Sequence, residues 1–198
     1  MKRKPFVIFI NGPSSAGKTS LTHAIQELSE IPFLQIGIDK IIGLMPKKHN
    51  DFIKSYHPNN SPSKEGFWFE SEDSINQKLI SGPYAQKVST LLLNIAETII
   101  EQEHNLIVDE IVLTDSIWKQ WQNILAPYQT IFIGITCHDN ILTQREQIRK
   151  NRMLGSAITQ SKLIHIKKQY NLLLDSTSQS SETLAQIVLK HLFEKYSL

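Results

Sequence analysis

Phe6-Val7-Ile8-Phe9-Ile10-Asn11-Gly12-Pro13-Ser14-Ser15-Ala16-Gly17-Lys18-Thr19-Ser20 is the stretch whose reading decides the fold. Five apolar residues in a row read as a buried strand. Residues 20–29 after the loop carry a helical pattern. Between them, Gly12 to Thr19 fits G-x-x-x-x-G-K-[ST], the pattern of a phosphate-binding loop. A loop between a buried strand and a helix start aims backbone N–H groups and the helix dipole at one anion. Gly12 and Gly17 permit angles and close approaches that a side chain would block. Lys18 is then placed for the β- and γ-phosphates, and the Thr19 hydroxyl for Mg²⁺. The expected cofactor-binding set is therefore Gly12, Pro13, Ser14, Ser15, Ala16, Gly17, Lys18, Thr19 and Ser20.

Working outward, apolar runs alternate with longer helical patterns, the mark of a parallel sheet covered by helices. Strands are predicted at 6–10, 33–38, 106–108, 130–136 and 172–174. Helices are predicted at 20–29, 84–102, 115–124, 141–153, 162–170 and 183–196. The helix at 84–102 carries Val88, Leu91, Leu92, Ile95, Ile99 and Ile100 on one face, a core pattern. The whole is an α/β chain read as one domain over 1–198, and a domain of that length buries roughly 70% of its unfolded surface. Residues 47–82 break the alternation. Turn formers mix there with Phe67-Trp68-Phe69, which predicts a long loop with some local structure whose aromatics serve an acceptor pocket or lid, the competing reading being plain satellite packing. Residues 176–181 read as a strand-to-helix loop that supplies an N-cap.

Composition narrows the function classes. A net charge of +2 gives no ground for a nucleic-acid partner. Met1-Lys2-Arg3-Lys4 resembles the start of a secretory signal, but the apolar run after it ends in the glycine loop after five residues. No run approaches the roughly 20 apolar residues of a membrane span. One cysteine, Cys137, excludes an internal disulfide, reads as a strand-end core residue and suits a cytoplasmic protein.

Acids end three predicted strands: Asp39, the pair Asp109-Glu110, and Asp175. Ligands of open α/β sheets lie outside the carboxyl ends of strands. Phosphoryl transfer to a hydroxyl requires one carboxylate to orient the nucleophile and take its proton, and another to hold Mg²⁺. Asp39 is assigned the first role and Asp109 the second, with Thr19 as the other metal ligand and Glu110 in support. The competing reading of Asp39 is a cap for a helix at 40–44, and Asp175 reads as a cap or turn residue. Arg145, Arg149 and Arg152 fall at i, i+4 and i+7, so a continuous helix puts three guanidinium groups on one face. Residues 139–168 hold seven Lys or Arg against two acids. Guanidinium pairs phosphate oxygens bidentately, so these arginines are assigned to the nucleotide, Arg145 and Arg149 also to catalysis. A lid over 139–156 hinged at Gly155 follows from that reading. The competing reading is a solvated basic face with Glu146 paired to Arg149.

Asn11 through Thr19, Ile36-Gly37-Ile38-Asp39, Met45-Pro46, Val108-Asp109-Glu110, the Arg145–Arg152 segment, His165, Tyr170 and Asp175-Ser176-Thr177 together resemble the chloramphenicol phosphotransferase-like family, in its order and across most of the chain. The resemblance implies a kinase-like three-layer P-loop fold with a five-stranded parallel sheet, and ATP- and Mg²⁺-dependent phosphorylation of a small-molecule hydroxyl. It also implies Asp39 as catalytic base, Lys18 as the loop lysine and Arg145 to Arg152 as the lid. Asn171 and Glu110 depart from the family pattern, and 47–82 shows little resemblance, so the chemistry carries over further than the drug. A nucleoside, nucleotide or metabolite kinase and a non-catalytic nucleotide-binding regulator are the alternatives. No Asn-Lys-x-Asp motif for reading guanine is present.

Overall fold

A computed structural model describes residues 4–50, 64–71, 77–149 and 155–196. The strands are β1 (Phe6–Asn11), β2 (Phe33–Gly37), β3 (Phe67–Ser71), β4 (Gln77–Ser81), β5 (Asn105–Glu110), β6 (Gln129–Thr136) and β7 (Leu172–Asp175). The helices are α1 (Lys18–Leu28), α2 (Ile38–Ile42), α3 (Pro83–Glu101), α4 (Asp115–Leu125), α5 (Asp139–Ile148), α6 (Ser156–Ser161) and α7 (Ser181–Lys195). Five strands form a parallel sheet in the order β2-β5-β1-β6-β7.

Alternation along β1 explains the layers. Successive strand residues face opposite sides. Phe6, Ile8 and Ile10 join Leu21 and Ile25 of α1 and Leu184, Val188 and Leu192 of α7 on one side. Val7 and Phe9 join Leu92, Ala96 and Ile100 of α3 and Trp118 and Trp121 of α4 on the other. Every β1 residue is buried, which is why its sequence is apolar on both faces. The helix starts are chemically specified. Pro83 sits at the first position of α3. Thr114 Oγ1 accepts from Ile117 N–H, and Ser180 Oγ accepts from Thr183 N–H, at α4 and α7.

Trp121 is 1% exposed, and its ring centroid lies 5.1 Å from that of Phe9. Trp121→Ala is expected to cost about 3–5 kcal/mol of stability. Urea unfolding would read this as a lower midpoint at an unchanged slope.

Three expectations need correction. Residues 162–170 are not a helix; 162–167 are turns, with Ile166 N–H on Leu163 O and Lys168 N–H on His165 O, and 168–170 are irregular. Lys167 adopts φ +56, and His165, Lys168 and Tyr170 spend their side chains on tertiary hydrogen bonds, so distant partners override local propensity. The helix predicted at 141–153 is α5, which ends at Ile148, with Arg149 as its C-cap; Lys150 to Leu154 lie outside the described residues. The 47–82 stretch contains an antiparallel hairpin, β3 on β4, with Phe67 opposite Ser81. Phe67 is buried with Ile42, Met45 and Ala85, so the aromatic run is in part a strand packed on α2 and α3. Residues 51–63 and 72–76 of that stretch lie outside the described residues.

Candidate active site

Because the five strands are parallel, Asn11, Gly37, Glu110, Thr136 and Asp175 end along one edge of the sheet. The Gly12–Thr19 loop leaves the central strand there. Gly12 approaches so closely that a Cβ would stand 2.8 Å from Ile135 O, and Gly17 adopts φ +88. Both positions therefore require glycine. Lys18 Nζ donates to Pro13 O at 3.0 Å, and Ala16 N–H donates to the same oxygen at 3.3 Å. Ser15 is left-handed at φ +62 and buried, and its hydroxyl has no hydrogen-bond partner among the described residues.

Two cavities flank this loop. One, of about 300 Å³, is lined by Ser14, Ser15, Lys18, Thr19, Asp39 and Asp109 among others, with Arg149 at its wall. The second, of about 320 Å³, is lined by Ser15, Gly17, Ser20, Arg145, Arg149 and Ser176 among others. Ser15, Gly17 and Arg149 belong to both, so the cavities adjoin. Gly12, Pro13 and Ala16 line neither and build the loop's backbone. Arg152 lies outside the described residues.

Sheet register brings the acids to the loop. Asp109 of β5 lies beside Ile10 of β1 and Gly37 of β2. Its Oδ2 accepts from Thr19 Oγ1 at 2.7 Å, and its Oδ1 stands 3.9 Å from Lys18 Nζ. Asp39 lies inside α2, whose N-cap is Gly37, so it is not the cap that the competing reading would make it. Two oxygen donors, Thr19 and Asp109, fall short of a protein-only cage. That suits Mg²⁺, which keeps water and substrate phosphate oxygens around it. The amide loop, Lys18 and the unpartnered Ser15 hydroxyl suit a phosphate chain.

Glu110 is buried, and that burial pushes its carboxyl up from 4.5 to about 7. The Ile111 N–H bond opposes this, Asp109 and Asp39 add to it, and Lys18 opposes it. Between these two values the folded chain holds the proton that the unfolded chain has released, so stability falls as pH rises. The drop amounts to about 3 kcal/mol. Glu110→Gln is expected to remove that slope between about pH 4.5 and 7, read by urea unfolding without divalent ions.

α5 ends at Ile148 with Arg149 as its C-cap, and Arg145 and Arg149 both line the second cavity. Arg145 is half-buried. Its Nη2 donates to Ser176 O at 2.9 Å, and its Nη1 to Ser176 Oγ at 3.4 Å and Ser15 O at 3.5 Å. Glu146 does not pair with Arg149 as the solvated-face reading expects. It is 1% exposed and accepts from Gly155 N–H, Ser156 Oγ–H and Ala157 N–H at 2.6, 2.7 and 3.0 Å. A buried carboxylate needs several donors, and the start of α6 provides them. Asp175 is a turn residue: Thr177 donates twice to it, which holds its carboxyl below the usual range.

Sequence reasoning did not single out Gln160, and it took Ser176 as part of a strand-to-helix loop and of the Asp175-Ser176-Thr177 motif. Gln160 Oε1 accepts from Ser14 N–H at 2.7 Å. Ser176 Oγ donates to Ala16 O at 2.7 Å. A glutamine in a short helix carries no sequence signal of such a contact.

Known structures share this architecture. The APS kinase of Mycobacterium tuberculosis, solved with AMPPNP and APS, superposes with a TM-score of 0.65 at 12% identity, over 96% of this chain and 99% of that one. A gluconokinase from Sinorhizobium meliloti 1021 gives a TM-score of 0.60 at 16% identity, over 98% and 94%. In sequence, a protein of Mycobacterium tuberculosis strain H37Rv with the provisional name O-phosphotransferase is 24% identical over 185 residues, 91% of this chain and 79% of that protein. A family model matches residues 6–193, and the chain belongs to the chloramphenicol phosphotransferase-like protein family.

Proposed function

We propose that the chain is a cytoplasmic, ATP- and Mg²⁺-dependent O-phosphotransferase, a single domain that moves the γ-phosphoryl group to a hydroxyl of a small molecule. Family membership supports a kinase-type O-phosphotransferase. The observation that carries the finer reading is that Lys18, Thr19, Asp109 and Asp39 line one cavity.

In this reading the loop amides from Ser15 to Ser20 and the Lys18 ammonium bind the phosphate chain, while Thr19 and Asp109 would hold the metal. When bound, Mg²⁺ supplies charge neutralisation on the phosphate oxygens. Asp39 accepts the proton of the acceptor hydroxyl as its oxygen bonds to the γ-phosphorus. The bond from that phosphorus to the β–γ bridging oxygen breaks, and ADP leaves. Lys18, Arg145 and Arg149 face the charge spread over the transferred group, so positioning and electrostatics do most of the work. The second cavity takes the nucleoside end, and residues of the 47–82 stretch and the 139–156 lid enclose the acceptor and the phosphates.

Calorimetry with Mg-ATP and Mg-GTP, then a screen of metabolites and antibiotics by ADP release, tests this. Acceptor-dependent ADP formation supports the proposal. Nucleotide binding with no transfer to any acceptor would favour a regulator instead.

A further inference from the structure

Ser15 is not glycine, yet it holds a left-handed backbone at the point where the two cavities meet. Such a conformation persists only where its surroundings over-determine it. Both peptide neighbours of Ser15 are pinned from outside the loop. On one flank Gln160 Oε1 takes Ser14 N–H at 2.7 Å, with both residues buried. An N–H only donates, so the amide oxygen of Gln160 must face the loop. On the other flank Ser176 Oγ donates to Ala16 O at 2.7 Å. At the loop's entrance, fully buried Asn11 donates through Nδ2 to Tyr170 OH at 2.9 Å and Ile164 O at 3.4 Å. Gln160, Ile164, Tyr170 and Ser176 come from one stretch of chain, and Val112 completes the Asn11 contacts by donating to its Oδ1 at 2.7 Å and accepting from its Nδ2 at 3.5 Å.

We propose that Gln160 is a positioning residue of the phosphate site: with Ser176 it holds Ser15 left-handed, so that the loop's amides and the Ser15 hydroxyl converge on a phosphate. Gln160 also fixes where the arginines stand. It sits on α6, whose start is bound by Glu146, and the neighbouring Arg145 reaches Ser15 O. Loop and arginine thus share one frame. The functional half of this inference rests on the nucleotide reading above; the backbone half does not.

The test compares wild type, Gln160→Leu and Gln160→Glu in the full chain. Leucine keeps the bulk and removes the acceptor, leaving a buried N–H unpaired. Without nucleotide, amide hydrogen exchange in the peptide covering residues 11–19 is expected to rise about tenfold in Q160L. Mg-ATP should bind about tenfold more weakly by calorimetry. Q160E keeps an acceptor and should restore slow exchange, yet still bind Mg-ATP weakly, because it sets a second negative charge beside the phosphates. A residue that merely packs would not split exchange from affinity in this way. Wild-type exchange and affinity in Q160L overturn the proposal. Should Q160L fail to fold, Q160N, whose amide is retracted by one methylene, must show the same rise in exchange or the proposal falls. If wild type itself gives no heat with Mg-ATP, the nucleotide reading fails, and the exchange comparison still decides the role of Gln160.

Discussion

Lys18→Ala is expected to abolish phosphoryl transfer, by roughly a thousandfold or more, and to weaken Mg-ATP binding in the same variant. The ammonium is buried, bonded to Pro13 O and 3.9 Å from Asp109. It therefore stands already oriented over the loop, in surroundings where little water screens its field. Removing it takes away the fixed positive charge inside the loop and the cation 3.9 Å from Asp109. Both the ground state and the transition state lose a contact, so kcat and nucleotide affinity should fall together. Calorimetry and initial rates of ADP release on a variant with wild-type circular dichroism measure it. Near-wild-type turnover would remove Lys18 from the mechanism.

Asp39→Asn should give the opposite pattern. Turnover is expected to drop by about a hundredfold to ten-thousandfold, the usual weight of a positioned general base. Mg-ATP affinity should stay within about threefold of wild type, because an amide of the same shape still fits α2 beside the loop. The acceptor's KM should move little, since an asparagine oxygen still accepts a hydrogen bond from its hydroxyl. The split between a lost rate and a retained affinity separates a base from a metal ligand. Wild-type rates in the Asn variant with an identified acceptor would show that the proton goes elsewhere.

Legibility in the sequence followed the physics of each element. The strand at 6–10 and the loop after it could be read because β1 is buried on both faces, which leaves an unbroken apolar run, and because the loop's backbone demands glycine at 12 and 17. Asp39 and Asp109 could be placed near the loop because parallel strands deliver their ends to one edge. The β3–β4 hairpin was hidden, since the buried Phe67 lies among turn formers that read as a loop. The turns at 162–167 misled for a different reason. Ile164 is buried while Leu163 and Ile166 are exposed, so the apolar spacing there does not report a face. Glu146 looked like a surface partner for Arg149 because i, i+3 spacing says nothing about whether a helix continues. Gln160 was beyond reach: its importance lies in a single amide 146 residues away.

β1 pairs only with strands formed roughly a hundred residues later, and α1 packs against α7, the last helix. The Ala16 carbonyl waits for Ser176, 160 positions downstream. The cradle is therefore translated well before the segment that completes it. Contacts of such large sequence separation close slowly, and until they do the apolar strand at 6–10 lacks the neighbours that bury it.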